Sequence, residues 1–343
     1  MRYSVKDWDR YLKDIGLPSD VRDEYREYIK PLVKQGLPVI FEFSHLAKLL
    51  GRTTGYLASA TNASRNHYRT FEIKKKNGKS RNIEAPYPAL LECQRWINTY
   101  ILNVLQPAAT SHGFVRGRSV ITNALEHAAC GELLNLDLKD FFPSIPLRRV
   151  IALFKSMGYS NLVAFYLGSI CCLDGRLPQG APTSPGLANL ILRPLDRRLA
   201  ALAARFTLTY TRYADDLSFS GASIHPSFLA LVRRAISESG FIVNESKTKI
   251  FRGNSNRKIV TGINVRDAEL RAPRELKRYV FQEIYFIEKF GVASHLAKKR
   301  ARDAVYLDRL RGKLTYILQV EPHNEEAHRK LRVLNRAEAL FSR

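Results

Sequence analysis

Two adjacent aspartates between two short apolar runs constrain this chain more than any other feature. The stretch reads Tyr210-Thr-Arg-Tyr-Ala-Asp-Asp-Leu-Ser-Phe-Ser220. Residues 207–213 and 217–220 are rich in Thr, Tyr, Leu and Phe, which predicts two strands of a hairpin with Asp215 and Asp216 near its tip. Adjacent like charges repel, and a bound Mg²⁺ or Mn²⁺ ion, which prefers carboxylate oxygens, would remove that repulsion. The alternative is a solvated turn in which each Asp makes its own local hydrogen bonds.

A second acidic residue lies on another predicted strand. Leu133-Leu-Asn-Leu-Asp-Leu-Lys-Asp-Phe-Phe-Pro-Ser144 begins with a period of two, which places Asn135 and Asp137 on one face and Leu134, Leu136 and Leu138 on the other. A carboxylate on an otherwise apolar strand is costly unless something pairs with it. Two metal ions held jointly by Asp137, Asp215 and Asp216 would be that partner.

Four motifs occur in the order found in the palm of reverse transcriptases. They are Asp137 with Phe142 five residues later, Leu177-Pro-Gln-Gly-Ala-Pro-Thr-Ser-Pro185, Tyr213-Ala-Asp-Asp216 and Asn244-Glu-Ser-Lys-Thr248. The chain resembles a bacterial reverse transcriptase, an RNA-directed DNA polymerase, over about residues 43–319. Within that family it most resembles the retron enzymes, because Asn123-Ala-Leu-Glu-His127 and Val260-Thr-Gly262 match their Asn-Ala-x-x-His and Val-Thr-Gly elements.

The resemblance implies an α+β fold, that of a right-hand polymerase. Residues 1–66 would form an N-terminal helical extension, 67–130 the fingers with the finger–palm helices, 131–265 the palm with inserted helices, and 266–343 a helical thumb. The palm would be an antiparallel sheet backed by helices. Hairpins that alternate with amphipathic helices along this part of the sequence predict the same class.

The resemblance also assigns the chemistry. Asp137, Asp215 and Asp216, with the carbonyl of Leu138, would hold two Mg²⁺ ions, with Mn²⁺ as the alternative ion. One ion would activate the primer hydroxyl, and the other would neutralise the triphosphate and the leaving pyrophosphate. Lys247 occupies the place of the family's fourth palm motif and would protonate the pyrophosphate. The alternative for Lys247 is an ordinary solvated lysine.

A basic hairpin is predicted over residues 68–86. Asn77-Gly78 supplies the two positive φ angles of a type I′ turn, which would place Lys74 opposite Arg81 on one side of the ribbon. A nucleotide triphosphate between them would relieve their repulsion. In the family a basic residue at the place of Arg81 grips the incoming nucleotide. A solvated basic tip is the alternative.

Two further residues complete the nucleotide site that the resemblance implies. Phe142 would stack under the sugar and collide with a ribose 2′-hydroxyl, so that deoxynucleotides are selected; core packing beside Phe141 is the alternative. Gln179 lies in a loop with three prolines and two glycines, whose fixed backbone leads into a helix N-terminus and favours anionic ligands. In reverse transcriptases this loop contacts the templating base and the nucleotide.

The first retron element falls on a helix predicted over residues 119–129. Asn123 and His127 are four residues apart on it and therefore share one face. Residues alone indicate a hydrogen-bonded pair on the helix surface. The resemblance makes both side chains candidates for contact with a structured RNA.

The second retron element falls on a strand predicted over residues 258–265. Val260, Thr261 and Gly262 could bring the backbone near a primer end or the RNA. A strand with a glycine bulge is an equally good reading of the same residues.

The charge balance indicates a polyanionic partner. The 343 residues include 55 Lys and Arg against 32 Asp and Glu, a formal net charge of +23. Neutralising phosphates releases condensed counterions, so nucleic acid is the favoured partner. The predicted thumb is strongly basic, with Lys298-Lys-Arg-Ala-Arg302 as its densest run, and would hold the template–product duplex by its phosphates.

The sequence predicts a cytoplasmic bacterial protein with no membrane partner. It has no charged leader followed by an apolar segment. The longest uncharged run, residues 156–173, contains Ser, Asn and Gly and falls short of the ~20 apolar residues of a membrane span.

The retron resemblance implies a specific reaction. The enzyme would copy part of a cognate structured non-coding RNA into DNA, priming from an RNA 2′-OH to give branched RNA–DNA (msDNA). Its partners would be that RNA as template and primer, the DNA product, dNTPs, and an effector or toxin protein in anti-phage defence. Two alternatives stay open: a group II intron-like reverse transcriptase that uses an ordinary 3′-OH primer, and a non-catalytic RNA-binding scaffold.

Overall fold

Helices and antiparallel strands alternate along the chain, which confirms the predicted α+β class. The structure is a computed structural model that describes residues 3–74, 78, 80–253, 258–299 and 305–341. Its strands are β1 (Tyr68–Lys74), β2 (Ser80–Pro86), β3 (Glu132–Asp137), β4 (Thr209–Tyr213), β5 (Asp216–Gly221), β6 (Lys249–Phe251), β7 (Ile259–Val260) and β8 (Ile263–Asn264). Its α-helices are α1 (Val5–Asp14), α2 (Ser19–Lys34), α3 (Phe43–Leu49), α4 (Thr54–Asn62), α5 (Pro88–Tyr100), α6 (Val120–Leu125), α7 (Leu147–Ser156), α8 (Asn161–Cys171), α9 (Ser184–Ile191), α10 (Arg193–Arg205), α11 (Pro226–Glu238), α12 (Arg274–Phe290), α13 (Val292–Lys299), α14 (Tyr306–Val320) and α15 (Glu325–Phe341). Short 3₁₀ turns lie at Ser64–His67, Leu102–Val104 and Glu245–Lys247.

The chain divides into two compact units. The first contains Met1–Phe114, Leu138–Arg198 and Arg234–Val243. The second contains Val115–Asp137, Leu199–Arg233 and Asn244–Arg343. The boundaries of the predicted fingers, palm and thumb stay a prediction.

The second unit contains a four-stranded antiparallel sheet in the order β4-β5-β3-β6. Directly opposed residues share a face of such a sheet, and successive residues alternate between faces. One face is apolar and buried, with Leu134, Leu136, Leu217 and Phe219 at 0–1% exposure. The register places Asn135 opposite Ser218, and Asp137 opposite Asp216, on the other face. The alternation predicted for β3 is therefore confirmed.

A tight turn joins β4 to β5. Tyr213 pairs with Asp216, so Ala214 and Asp215 alone form the turn. Ala214 has φ of +56°, a conformation that costs an L-residue about 1–2 kcal/mol. The fully buried guanidinium of Arg212 donates from Nη1 to the carbonyl oxygen of Ala214 at 3.0 Å. A buried charge-assisted hydrogen bond thus stabilises a strained backbone next to the two aspartates.

The prediction of a single strand over residues 258–265 is wrong in detail, because this segment forms a hairpin of two short strands. β7 and β8 pair through Val260 and Ile263, and Thr261 and Gly262 form the two-residue turn. Their φ angles of +46° and +85° are those of a type I′ turn. The glycine therefore closes a turn, where the alternative interpretation placed a bulge.

The helix predicted over residues 119–129 is also shorter than expected. α6 begins after Ser119, whose Oγ accepts from the N–H of Thr122, but it ends at Leu125. The backbone N–H of Ala129 donates to the carbonyl oxygens of Val265 and Asp267, both at 3.1 Å. These contacts replace the helical hydrogen bond of Ala129, so His127 lies in a turn.

In the first unit, the hairpin of β1 and β2 has a different register from the predicted one. Lys74 pairs with Ser80, and Ile73 pairs with Arg81. The expectation that Lys74 faces Arg81 is therefore wrong, and a shift of one residue puts the two side chains on opposite faces of the ribbon. A two-residue turn at Asn77-Gly78 would have paired residues 74 and 81, and that predicted turn lies partly outside the described residues.

From Arg274 onward the described residues are mainly helical, as the sequence predicts, and the assignment of this region as a thumb stays a prediction. Helices α12, α14 and α15 enclose an apolar core. Its fully buried members include Val280, Ile284, Leu314, Ile317, Ala327 and Leu334. Part of the basic run at 298–302 lies outside the described residues. Within the described chain, every helix is too short or too polar to cross a lipid bilayer.

Candidate active site

The sheet of the second unit brings the three predicted aspartates together at one end of its two central strands, β3 and β5. Asp137 is the last residue of β3, Asp216 is the first residue of β5, and the two are directly opposed. Asp215 precedes Asp216 in the β4–β5 turn. Asp137 is 5% exposed, so a carboxylate is buried at the end of an antiparallel sheet. Such a group requires partners.

Both carboxylate oxygens of Asp137 have donors from the segment after α11. Lys247 Nζ donates to Oδ2 at 2.5 Å, and Asn244 Nδ2 donates to Oδ1 at 3.0 Å. The backbone N–H of Asn244 also donates to the Asp137 carbonyl oxygen at 2.7 Å. These three bonds fix both the end of β3 and the orientation of the Asp137 side chain. They bring Lys247 to the aspartates, as the sequence predicts.

The Lys247 amine remains largely accessible. Its side chain is 57% exposed, whereas that of Asp137 is 7% exposed. Burial acts to lower the pKa of Lys247, but the hydrogen bond to Asp137 and the charges of Asp137, Asp215 and Asp216 outweigh it and raise that pKa above its ordinary value. The amine is therefore protonated at neutral pH and can serve as a proton donor.

Asp216 has the opposite electrostatic environment. Burial first, and then the neighbouring carboxylates of Asp215 and Asp137, raise the pKa of Asp216 to about 7, while Lys247 partly opposes them. The residue nevertheless keeps exposed surface. Surrounding protein atoms crowd the carboxylate and remove part of its hydration. The group is still open on one side, so solvent and ligands can reach it.

The donor chemistry of this end of the sheet fits a divalent cation. Carboxylate oxygens are the ligands that Mg²⁺ and Mn²⁺ prefer, and a cation would relieve the repulsion that raises the pKa of Asp216. Among the described residues, no group of three or more His, Cys, Asp or Glu side chains is already arranged as a metal site. The oxygens of Asp137 are directed at Lys247 and Asn244, so metal binding there requires these side chains to adjust.

The first unit contains the residues predicted to bind the nucleotide. The carbonyl oxygen of Gln179 accepts from the N–H of Glu84 in β2 at 2.9 Å, so the Gln179 loop lies against the strand that carries Arg81. At the next residue, Gly180, a Cβ atom would lie 2.7 Å from the Glu84 carbonyl oxygen. Arg81 and Lys74 are both exposed. The structure thus brings Gln179 and Arg81 onto one substructure, with Lys74 on the other face of its hairpin.

Phe142 is half-buried in the first unit. Its ring centroid lies 5.1 Å from that of Phe141 and 6.5 Å from that of Phe114. Phe141 is buried, so the core contact is made mainly by that residue. Leu138, whose carbonyl is the predicted fourth ligand, is also buried. The roles assigned to Phe142 and to the Leu138 carbonyl stay predictions.

The first retron element is buried. Asn123 and His127 are each 1% exposed. His127 Nδ1 lies 2.6 Å from Ser220 Oγ, and His127 Nε2 lies 2.7 Å from Thr211 Oγ1. Asn123 Oδ1 has no hydrogen-bond partner within the described part of the chain. Neither side chain is presented to an RNA in this structure, and the RNA contact stays a prediction.

The second retron element lies at the turn of the β7–β8 hairpin and runs from the core to the surface. Val260 is buried, Thr261 is half-buried, and Gly262 is exposed with no other atom within 4 Å of where its Cβ would lie. Thr261 Oγ1 donates to the carbonyl oxygen of Val120 at 3.1 Å. The turn is thereby attached to α6 while the backbone of Gly262 remains open.

Two residues of this site were not singled out from the sequence. Asn244 orients Asp137, and Arg212 stabilises the turn that carries Asp215. Asn244 opens the fourth palm motif, and Arg212 is a charged residue on the apolar side of a predicted strand. The sequence signal was membership of a motif for Asn244 and a break in the apolar pattern for Arg212.

Comparison with known proteins identifies the family of this chain. The model of the family described as reverse transcriptase (RNA-dependent DNA polymerase) matches residues 73–277. The retron Ec86 reverse transcriptase of Escherichia coli is 34% identical over 300 residues, which cover 86% of this chain and 89% of that protein.

Two relatives from Myxococcus xanthus are longer than this chain. The retron Mx65 reverse transcriptase is 39% identical over 259 residues, covering 68% of this chain and 60% of that protein. The retron Mx162 reverse transcriptase is 34% identical over 291 residues, covering 75% and 58%. The chain thus spans less than two thirds of both Myxococcus proteins.

A solved structure of telomerase from Candida albicans, in complex with a TWJ fragment of telomeric RNA, aligns with a TM-score of 0.44 and 11% identity over 80% of this chain and 64% of that one. That likeness is too low to support an inference. The family model, by contrast, covers more than half of the chain, and the Ec86 enzyme is matched along most of its length. The chain therefore belongs to the reverse transcriptase (RNA-dependent DNA polymerase) family, and within it to the bacterial retron reverse transcriptases.

Proposed function

We propose that this chain is an RNA-directed DNA polymerase that copies part of a cognate structured non-coding RNA, primes from an RNA 2′-OH, and leaves branched msDNA. The observation that carries the proposal is the pairing of Asp137 with Asp216 at the end of the sheet, beside Asp215, with Lys247 bonded to Asp137. Membership of the retron reverse transcriptases supports the RNA template and the branched product.

Asp137, Asp215 and Asp216, with the Leu138 carbonyl, would hold two Mg²⁺ ions, or Mn²⁺ as the alternative. When bound, these ions supply activation of the attacking hydroxyl and neutralisation of the phosphates. Asn244 would keep the Asp137 carboxylate oriented. Lys247, which its neighbours keep protonated, would donate its proton to the leaving pyrophosphate.

The residues of the first unit would bind the incoming dNTP. Arg81 would hold the triphosphate, and Gln179 would contact the templating base and the nucleotide. Lys74 faces away from Arg81 on the hairpin, so it would act separately on phosphate and not as half of a clamp. Phe142 would stack under the sugar and exclude ribonucleotides.

We further propose that the enzyme works in the bacterial cytoplasm with its RNA, its DNA product and an effector or toxin protein in anti-phage defence. The exposed Gly262 backbone, beside Val260 and Thr261, is the part of the second retron element best placed to contact RNA. The net charge of +23 supports a nucleic-acid partner over a membrane.

The test is to express the chain with its native flanking DNA, purify it, and ask whether the bound nucleic acid contains DNA joined to RNA through a debranching-sensitive 2′ linkage. The wild type and a control variant of an exposed carboxylate, Glu269→Gln, should both yield this product. The double variant Asp215→Asn/Asp216→Asn should yield none. Branched product from the double variant would remove the carboxylate mechanism. Extension of an annealed 3′-OH primer without any branched product would favour the intron-like alternative.

A further inference from the structure

His127 joins the two strands that carry the active-site turn. Its Nε2 atom contacts Thr211 Oγ1 in β4 at 2.7 Å, and its Nδ1 atom contacts Ser220 Oγ in β5 at 2.6 Å. Exposure of the three residues is 1%, 2% and 3%. At that burial water cannot replace either hydrogen bond.

The chemistry of imidazole makes this contact directional. A neutral imidazole has one N–H donor and one acceptor nitrogen, and a hydroxyl group can take either part. In the neutral form of His127, one of the two hydroxyls donates to the ring and the other accepts from it. Thr211 and Ser220 are held in one relative arrangement, which a hydrophobic side chain of equal size could not enforce.

The face of the sheet that His127 contacts also carries the aspartates. Ser220, Ser218 and Asp216 alternate onto one face of β5, a run of about 13 Å at the rise of a strand. Ser218 Oγ donates to Asn135 Oδ1 at 3.0 Å. Asn135 lies two residues before Asp137 on β3. One polar pair between His127 and the aspartates, Ser218 and Asn135, is thus hydrogen-bonded across β5 and β3.

The β7–β8 hairpin, which carries the second retron element, is hydrogen-bonded to β3 and to α6. Asn135 Nδ2 donates to the carbonyl oxygen of Ile259 in β7 at 2.7 Å. Thr261, in the following turn, donates to the carbonyl oxygen of Val120 in α6. The β7–β8 hairpin is therefore bonded both to the sheet and to the helix that leads into His127.

We propose that His127 is a positioning residue for polymerisation: it fixes the β4–β5 hairpin so that Asp215 and Asp216 are held opposite Asp137. The inference rests on the proposed polymerase function and adds a role for the first retron element inside the protein. His127 acts through Thr211 and Ser220, and contact with RNA is not needed to explain its burial.

The experiment compares His127→Phe, which keeps an aromatic ring but loses both hydrogen bonds, with His127→Gln, which keeps a donor and an acceptor. Each is assayed on an annealed primer and RNA template for kcat and for the KM of dNTP, and separately for RNA affinity and melting temperature. For His127→Phe we expect kcat to fall by between about tenfold and a hundredfold, the cost typical of a small misplacement of reacting groups. The KM of dNTP and the RNA affinity should stay within about twofold, and His127→Gln should recover part of the lost kcat.

Thr211→Val and Ser220→Ala provide the second pair of variants in case His127→Phe does not fold. Each removes one hydrogen bond and should lower kcat, and their combination with His127→Phe should lower it no further. A loss of RNA affinity with unchanged kcat would overturn the inference in favour of direct RNA contact. A lowered melting temperature with unchanged kcat per folded molecule would overturn it in favour of a purely structural role. An inactive wild type would instead contradict the proposed function itself.

Discussion

Asp216 couples the chemistry of the active site to the stability of the protein. Its pKa is about 7 in the folded protein, against an ordinary value of 3.8. Between these two pH values the folded state binds more protons than the unfolded state, so this group makes the free energy of unfolding fall as pH rises. Burial of the Asp216 carboxylate is the main source of that loss, and repulsion from Asp215 and Asp137 adds to it. The loss of stability is complete above about pH 7.

This linkage predicts the behaviour of Asp216→Asn in EDTA. The variant cannot ionise at this residue, so it should be more stable than the wild type at pH 8, and the difference should shrink toward pH 5. Urea unfolding at several pH values measures it, with Asp267→Asn, an exposed aspartate of the same unit, as the control. Parallel stability curves for the wild type and Asp216→Asn would contradict the assigned pKa. Added Mg²⁺ should stabilise the wild type more than the variant.

Among the structural elements, the contact between the Gln179 loop and β2 depends on a glycine. Gly180 has φ of +145°, and a Cβ there would lie 2.7 Å from the Glu84 carbonyl oxygen and 3.0 Å from Ile83 Cγ2. The distance to the Glu84 oxygen is shorter than real Cβ contacts allow, and the distance to Ile83 is at the tight end of those that occur. A side chain at this residue would push the loop away from the strand that carries Arg81.

We therefore expect Gly180→Ala to destabilise the protein by about 1–3 kcal/mol and to raise the KM of dNTP. Gly55→Ala is the matched control, because Gly55 lies in α4 with open space around its Cβ. That change should be neutral or stabilising by up to about 1 kcal/mol. Urea unfolding and dNTP titrations measure both variants. Equal effects would show that the loop can move without cost.

Elements with a local pattern were predictable from the sequence, and their long-range contacts were not. The alternation of β3 and the two strands around Asp215 and Asp216 follow from residues within a few places of each other. The end of α6 does not, because Ala129 bonds to Val265 and Asp267, more than a hundred residues later. The predicted register of β1 and β2 was wrong because a change of one residue in loop length is enough to shift the pairing of a hairpin.

The same distinction between local motifs and long-range contacts holds in the active site. The three aspartates and Lys247 have recognisable motifs, and the structure brings them together. The partners of His127 lie 84 and 93 residues away along the chain, so a short motif could indicate that the residue matters but not what it touches. For the same reason, the hydrogen bond from Asn244 to Asp137, 107 residues apart, was not expected.

At the scale of the whole molecule, charge should dominate RNA binding. With a net charge of +23, affinity for RNA should fall steeply and linearly in a plot of log K against log[KCl]. If six to ten phosphates are neutralised, the loss between 50 and 200 mM salt is about 10³–10⁵-fold for a duplex. Filter binding measures the slope, and an uncharged peptide nucleic acid of the same sequence is the control. A slope near zero would mean that base and shape contacts, and not phosphates, supply the affinity.

Because side chains alternate between the two faces of the four-stranded sheet, residues that must share a face have to be an even number of places apart in the sequence. Asn135 and Asp137, and likewise Asp216, Ser218 and Ser220, are separated by even numbers of residues, and only even spacing keeps them on one face. Replacing one of these residues changes one contact. Inserting or deleting a single residue within β3 or β5 would turn an aspartate toward the apolar face and away from the face that His127 contacts. Among related sequences, the lengths of these two strands should therefore vary less than the identities of their residues.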